Sequence, residues 1–371
     1  MLTEERYLKP IFSRYRNGTS FLDTVPPDIH YMVDSYWFQF EPIDQIYFNI
    51  ISCVIFVLGM TSIIGNLTVI YIFLSTKALR TPSNLYVMNL ALSDFMMMFT
   101  MFPPVIYNGF YGTWALGPLF CEIYAMFGSL FGCVSIWSNT LIAKDRYNVI
   151  VGGMSRKPVT ICGALLNLTW VWAICLAWAL FPFFGWNRYV PEGNMTACGT
   201  DYFAKDTWNK SYIWVYGFWC YITPLTIIVI SYYHILKAVH IHEKSMKEQA
   251  KKMNVQSLRN TDAKSVEIKL AKIALVTISL WFMAWTPYSF INMSGLLGFM
   301  NLSPLATICG SIFAKANAVY NPIVYGLSHP KYKQALSEKM PCLTCGKPES
   351  GLTSTTHDDD NRTTDMESTV A

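Results

Sequence analysis

Seven stretches of the chain are too long and too apolar to be comfortable in water. They run at about 47–74, 84–107, 120–143, 160–182, 211–238, 273–298 and 304–327. A helix needs about 20 mostly apolar residues to cross the hydrocarbon core of a bilayer. Inside hydrocarbon every backbone N–H and C=O must find its partner within the protein, so each stretch is expected to be a helix. The expected fold class is an all-α membrane protein, a seven-transmembrane helix bundle. Composition agrees: charged residues make up 14% of the 371, against about 25% in soluble domains. A formal net charge of +4 is too modest to call for nucleic acid.

The first fifty residues lack a basic start followed by a short apolar core, so no cleavable signal peptide is expected. They carry the sequon Asn17-Gly-Thr, a glycosylation site if this end is extracellular. Seven spans then put the C-terminus in the cytosol. The charge bias points the same way. Loops assigned to the cytosol carry Lys77, Arg80, Arg156 and Lys157, and the segment after span five is rich in lysine. The short opposite loops, 108–119 and 299–303, carry neither Lys nor Arg. The expected organisation is an extracellular tail (1–46), the helix bundle (47–327), a short amphipathic cytosolic helix (328–340) and a disordered cytosolic tail (341–371).

Residues 237–272 contain no Pro or Gly, and Glu243/Lys247 and Glu248/Lys252 are spaced as helix-supporting pairs. Spans five and six are therefore expected to extend as helices into the cytosol, as a solvated face or a docking surface. The tail at 350–371 is rich in Ser, Thr and Asp and open to phosphorylation. Cys342 and Cys345 are candidates for palmitoylation. Most of the ten cysteines lie in spans as small apolar filler. Cys121 and Cys198 fall at expected extracellular positions, where a disulfide between them is favoured.

Few charges lie within the spans. Lys315 sits in the middle of the seventh, where a charged lysine costs roughly 2.5–3.5 kcal/mol on insertion scales. Burial favours the neutral amine, which is a nucleophile able to condense with an aldehyde. A pocket for such a ligand could come from Trp281, Phe282, Trp285 and Tyr288 on span six and Tyr124 and Phe127 on span three, with ordinary helix packing as the alternative. Asp94 in span two, with Asn66 and Asn321, forms either one polar cluster or separate interhelical ties. Asp145-Arg146-Tyr147 closes span three; Arg146 could pair with Asp145 or with Glu267 at the start of span six. Pro224, Pro287 and Pro322 remove backbone donors inside spans and mark kinks, static or hinged. No metal site and no catalytic residue is expected.

Taken together these residues resemble the rhodopsin-like G-protein-coupled receptors, and among them the opsins. The resemblance rests on Asn66, "LALSD" ending at Asp94, Cys121, "DRY" at 145–147, Trp172, Cys198, Pro224, Tyr232, "WTPY" at 285–288 and "NPIVY" at 321–325, including Pro322 and Tyr325. Its opsin-specific part is Lys315 in "FAKANAVYNPIVY". "RYVPEGN", "HEKSMKEQAKKMNV", "LWFMAWTPY" and "HPK" are similar to arthropod visual opsins of the rhabdomeric type. The resemblance implies a light receptor rather than an enzyme, with 11-cis retinal or a close derivative held on Lys315 as a Schiff base. It implies a Gq-type G protein and phospholipase C, with arrestin and a receptor kinase acting at the cytosolic tail, in the plasma membrane of a photoreceptor. It assigns the switch to Asp94, Asp145, Arg146, Tyr147, Tyr232, Glu267, Asn321, Pro322 and Tyr325. The counterion role falls to Glu192, with Glu122 as rival on a helix side that Tyr124 does not share. Related ultraviolet opsins carry a lysine in span two; residues 84–107 contain none, which implies visible absorption. Sequons at Asn194 and Asn209 join Asn17, while those at Asn66 and Asn167 fall inside spans. A receptor for a diffusible anionic ligand, a retinal photoisomerase and a light-independent opsin are the competing readings. A transporter would call for inverted repeats or a charged pathway, and neither is present.

Overall fold

The computed structural model describes residues 20–153, 158–253 and 261–341. Asn17, Cys342, Cys345 and the acidic tail lie outside the described residues, as do the Glu267 side chain and the proposed lysine–glutamate pairs after span five.

Local chemistry sets where the helices begin. Asp44 opens α1 (Gln45–Ser75), its carboxylate accepting the Ile46 N–H at 3.0 Å. Thr81 caps α2 (Pro82–Tyr111) and Thr160 caps α4 (Ile161–Leu180) in the same way. Between them α3 (Pro118–Ile150) starts with proline, as do α2, α8 (Pro304–Ser328) and α9 (Pro330–Lys339). Proline suits a first helical turn because its missing N–H would be unpaired there anyway. Asp206 caps α5 (Thr207–Gly217), accepting the Asn209 N–H at 2.9 Å. A π-helical turn, Phe218–Ile222, joins α5 to α6 (Thr223–Met253), so the two form span five. Pro224 follows directly; it cannot donate back to the Cys220 carbonyl, and the widened turn is where the chain absorbs that loss. Span six is α7 (Thr261–Leu297), with Pro287 inside it.

The seven long helices pack as one bundle around α3, which is buried along its length from Cys121 to Ile150. Small residues let helices approach closely. A side chain on Gly59 would strike Phe102, and one on Gly65 would strike Pro322. The outer faces stay apolar and exposed, as at Ile64, Leu67 and Leu74 on α1 and Leu165, Leu166 and Trp170 on α4. Six of the described helices are long and apolar enough to cross a membrane. The seventh, α8, is less apolar because it carries Lys315, Asn317 and Asn321, all buried against its neighbours.

At one end, three short 3₁₀ turns between Phe21 and Gln39 fold over the bundle. Ile29, Met32 and Trp37 are buried there. Tyr36 stacks on Phe203 at 4.3 Å, and its hydroxyl donates to the Leu302 carbonyl at 2.9 Å. The stretch expected to be only a tail is thus partly a packed cap. The sequence shows a polar, aromatic segment without periodicity, and only the bundle beneath gives its aromatics somewhere to go.

At the other end α9 lies against α1, with Tyr332 stacked on Phe73 at 5.8 Å. Its cap is His329, whose Nδ1 accepts the Tyr332 N–H at 3.1 Å. Burial depresses the His329 pKa to about 4. The unfolded imidazole protonates near 6.5, so between these values the unfolded segment binds more protons and stability rises with pH. The cap is intact above about 6.5 and is lost as pH falls toward 4. Protection factors at α9, taken relative to the intrinsic exchange rate at each pH, should fall over that window, and His329→Asn, a cap that does not titrate, should abolish this pH dependence.

Candidate functional site

The hairpin end of the bundle holds a two-stranded antiparallel ribbon, β1 (Tyr189–Pro191) and β2 (Cys198–Thr200). Val190 pairs with Gly199 and Pro191 with Cys198. Cys198 is bonded to Cys121 in the first turn of α3, across 77 residues of sequence. Closing a loop of that length restricts the unfolded chain by on the order of 4 kcal/mol. The Arg188–Asp201 ion pair, 2.7 Å long, and the buried Asn187 hold the base of the ribbon. The ribbon therefore lies across the bundle as a fixed roof.

Glu192 follows β1 at the turn. Its N–H donates to the Ala197 carbonyl at 2.8 Å, and its side chain points down into the bundle, buried. Tyr288 on α7 donates to Glu192 Oε1 at 2.6 Å. A side chain on Gly199 would strike both the Glu192 carboxylate and the Tyr288 hydroxyl, so only glycine admits this pair. Burial raises the Glu192 pKa, and the Lys315 charge opposes that shift more than the Tyr288 and Ser311 hydroxyls do.

Below the roof is a cavity of about 550 Å³, within the range of roughly 300–1,000 Å³ usual for small-molecule sites. Lys315 reaches into it from α8, 5% exposed, with its Nζ donating to Ser311 Oγ at 2.6 Å. Of the residues lining it, Glu192 alone carries a carboxyl group and Lys315 alone an amine. Trp281, Trp285 and Tyr288 are among the residues of the α7 wall, and Phe282 is not. The two indoles stack at 5.4 Å, and Tyr288 meets Trp285 edge-on at 6.2 Å.

Span three meets the cavity differently from expectation. Its wall is Ala125, Gly128, Ser129, Gly132, Cys133 and Ile136, and neither Tyr124 nor Phe127 is part of it. Helical rotation is the reason: the small residues recur at i, i+3, i+4 and i+7, and Tyr124 and Phe127 sit one position off that stripe. Tyr124 turns to Trp114, edge-on at 5.3 Å, and Phe127 stacks on Phe131 at 5.5 Å. Both are packing residues in this structure. The small stripe was present in the sequence and would have located the wall. Gly132 is where the Trp285 ring tip lies, and a Cβ there would collide with it. Glu122 is half-buried and does not line the cavity, so the acid over Lys315 is Glu192.

Polar side chains continue from the cavity toward the Arg146 end. Asp94 accepts from Asn321 Nδ2 at 2.7 Å and from Ser135 Oγ at 3.1 Å. Asn66 makes no direct bond to Asp94 or Asn321. It donates instead to Ser62 and to the Ala318 carbonyl at 2.8 Å, tying span one to span seven beside Pro322. Arg146 is paired with Asp145. Tyr232 donates to the Ala271 carbonyl at 3.2 Å, linking spans five and six, and Tyr147 lies edge-on to His234. Tyr325 is buried in the cluster with Phe73 and Tyr332.

The sequon at Asn194 does not survive. The side chain is fully buried, and its Oδ1 accepts from the Thr196 hydroxyl at 3.0 Å, so no glycan can reach it in this fold. Asn209 is engaged through both side-chain atoms, by Asn187 and Asp206.

Two substitutions test the roof and the wall. Cys198→Ser should cut the yield of folded, ligand-competent protein severalfold, measured by gel filtration and ligand uptake. Gly132→Ala should displace Trp285 and lower the yield of ligand-loaded protein, with tryptophan fluorescence altered.

Residues 65–325 match the family model for the 7 transmembrane receptor (rhodopsin family). The chain is 67% identical over 343 residues to "Opsin Rh6" of Drosophila melanogaster, covering 91% of this chain and 93% of that protein. It is 58% identical to "Rhodopsin, long-wavelength" of Apis mellifera, covering 93% and 92%. Among solved structures it is similar to squid rhodopsin, with a TM-score of 0.80 and 33% identity over 86% of this chain and 91% of that one. A buried lysine facing a roofed carboxylate inside seven helices, and kinship of this extent, lead to one assignment: the chain belongs to the rhodopsin family of seven-transmembrane receptors, as an arthropod visual opsin.

Proposed function

We propose that this opsin is a visible-light receptor carrying 11-cis retinal, or a close derivative, as a Schiff base on Lys315, and that it couples to a Gq-type G protein. The observation that carries the proposal is the placement of Lys315: an amine 5% exposed, inside an apolar cavity, with one carboxylate above it. The fit is chemical as well as spatial. An apolar polyene aldehyde needs a long cavity lined by carbon and an amine at one end, and Met97, Met101, Ala125, Gly128, Trp281 and Trp285 supply the lining.

Retinal supplies light absorption and a change of shape. The protein's own residues do the rest. Lys315 anchors the ligand, and Glu192 balances the positive charge on its nitrogen, held in aim by Tyr288 and by the disulfide-fixed ribbon. Trp285, wedged against Gly132, is part of the cavity wall on the span that carries Pro287. Strain there moves span six against span five, with Tyr232–Ala271 and Tyr221–Thr286 among the contacts between them. Release of the Asp145–Arg146 pair then opens a cleft between the ends of spans three, five and six. Differential fit to the two states is what drives such a shift. Arrestin and a receptor kinase act on the tail, and the N-terminus faces outward in the rhabdomeric membrane.

Span two, Pro82–Tyr111, contains no lysine, which supports a protonated, visible-absorbing form. Protein reconstituted with 11-cis retinal should show a visible band that shifts on illumination and drives nucleotide exchange on a Gq-type protein. A main band in the ultraviolet, or light-dependent isomerisation without exchange, would refute the reading. Glu192→Gln removes the negative charge that favours the protonated nitrogen, so its pKa falls. The visible band should then be lost at lower pH than in the wild type. An unchanged titration would take Glu192 out of the counterion role.

A further inference from the structure

Three thiols meet where spans three, four and five come together. Cys133 and Cys220 place their sulfurs 2.9 Å apart, and Cys175 Sγ lies 3.2 Å from Cys133 Sγ. All three are free cysteines. The first separation is closer than ordinary packing contact between sulfurs. It is also too close for a shared metal: with metal–sulfur bonds near 2.3 Å, tetrahedral ligands stand roughly 3.8 Å apart. Among the described residues no cluster with metal-binding geometry occurs. The proximity instead suits bond formation between the two sulfurs.

Two further observations single out the Cys133–Cys220 pair. Both residues line the cavity, whereas Cys175 does not. Cys220 sits in the π-helical turn Phe218–Ile222, the one place where span five departs from regular helix. The same cavity is bounded by Phe218, Ile222 and Phe290, which are 61%, 46% and 50% exposed on the outer faces of spans five and six. The cavity thus reaches the lipid-facing surface beside Cys220, and Cys220 is the more open of the paired thiols.

We propose that Cys133 and Cys220 are a redox modification site, oxidised to a disulfide by a membrane-soluble hydroperoxide, and that this crosslink suppresses receptor activation. The Cys220 sulfur attacks the peroxide, breaking the O–O bond and giving a sulfenic acid and an alcohol. The Cys133 sulfur then displaces water from the sulfenic acid. The two thiols lose two protons and two electrons; the hydroperoxide is reduced to alcohol and water. The new bond fastens the π turn to span three and restrains span five. Only the effect on activation rests on the light-receptor reading; the crosslink itself does not.

The test uses the full chain in lipid nanodiscs, treated with cumene hydroperoxide, alkylated and mapped by peptide mass spectrometry. The expected result is a Cys133–Cys220 linked peptide, loss of two alkylatable thiols and full reversal by dithiothreitol. The link should persist in Cys175→Ser and vanish in Cys220→Ser. In retinal-loaded protein, light-driven nucleotide exchange should fall at least tenfold on oxidation and recover on reduction, while Cys220→Ser, compared only with its own untreated rate, should show no fall on oxidation. A link to Cys175 instead, sulfinic or sulfonic acids without a link, or an unchanged thiol count would overturn the site. A complete link with unimpaired exchange would overturn its regulatory role. Reduced protein that fails to respond to light refutes the light-receptor reading and leaves the wild-type peptide map as the test of the site.

Discussion

An amine and a carboxylate share one apolar cavity, and the hairpin end of the molecule is built to keep them there. Neither charge is tolerable alone in such surroundings, since burying an unpaired ion costs several kcal/mol. Lys315 comes from span seven and Glu192 from a loop between spans four and five. Nothing in either element brings the two together. The Cys121–Cys198 bond does so, by pinning the ribbon to span three, and the absent side chain at Gly199 leaves room for Glu192 and Tyr288 to meet. A covalent tether, a glycine and a hydrogen bond thus set the electrostatics of the site.

The same logic runs down the bundle axis. Span seven carries buried polar groups because it supplies partners to the others. Its Asn321 serves Asp94 of span two, its Ala318 carbonyl serves Asn66 of span one, and its Ser311 serves its own Lys315. Prolines at 287 and 322 interrupt the ladders of spans six and seven where these polar groups gather. Helices joined by a few directional bonds, with weakened backbone between them, are suited to two discrete arrangements rather than to gradual deformation.

Much of this was legible in the sequence. Apolar length placed all seven helices, and Asp44, Thr81, Thr160, Asp206 and the Pro-led turns mark most of their starts in local chemistry, but α3, α6 and α7 run well past their apolar stretches at the Arg146 end. Lys315 announced itself by its cost in hydrocarbon. What escaped depended on rotation and on long-range packing. Tyr124 and Phe127 are aromatics at plausible depth, but one residue of helix phase turns them away from the cavity. Asn194 satisfies a sequon motif that knows nothing of burial. The meeting of Cys133 with Cys220 depends on a π turn, an irregularity that no periodicity reveals. Asn66 chose a backbone carbonyl over the carboxylate because span one contacts span seven at that level.

The central claim is that the Lys315 nitrogen carries the chromophore, and its most direct test is chemical. Retinal-loaded protein is reduced with borohydride, digested and mapped by mass spectrometry. The account predicts a retinyl adduct on Lys315, in near-stoichiometric yield, on the peptide that contains Asn317 and Asn321. Absence of label there, or label spread over the surface lysines, would contradict it.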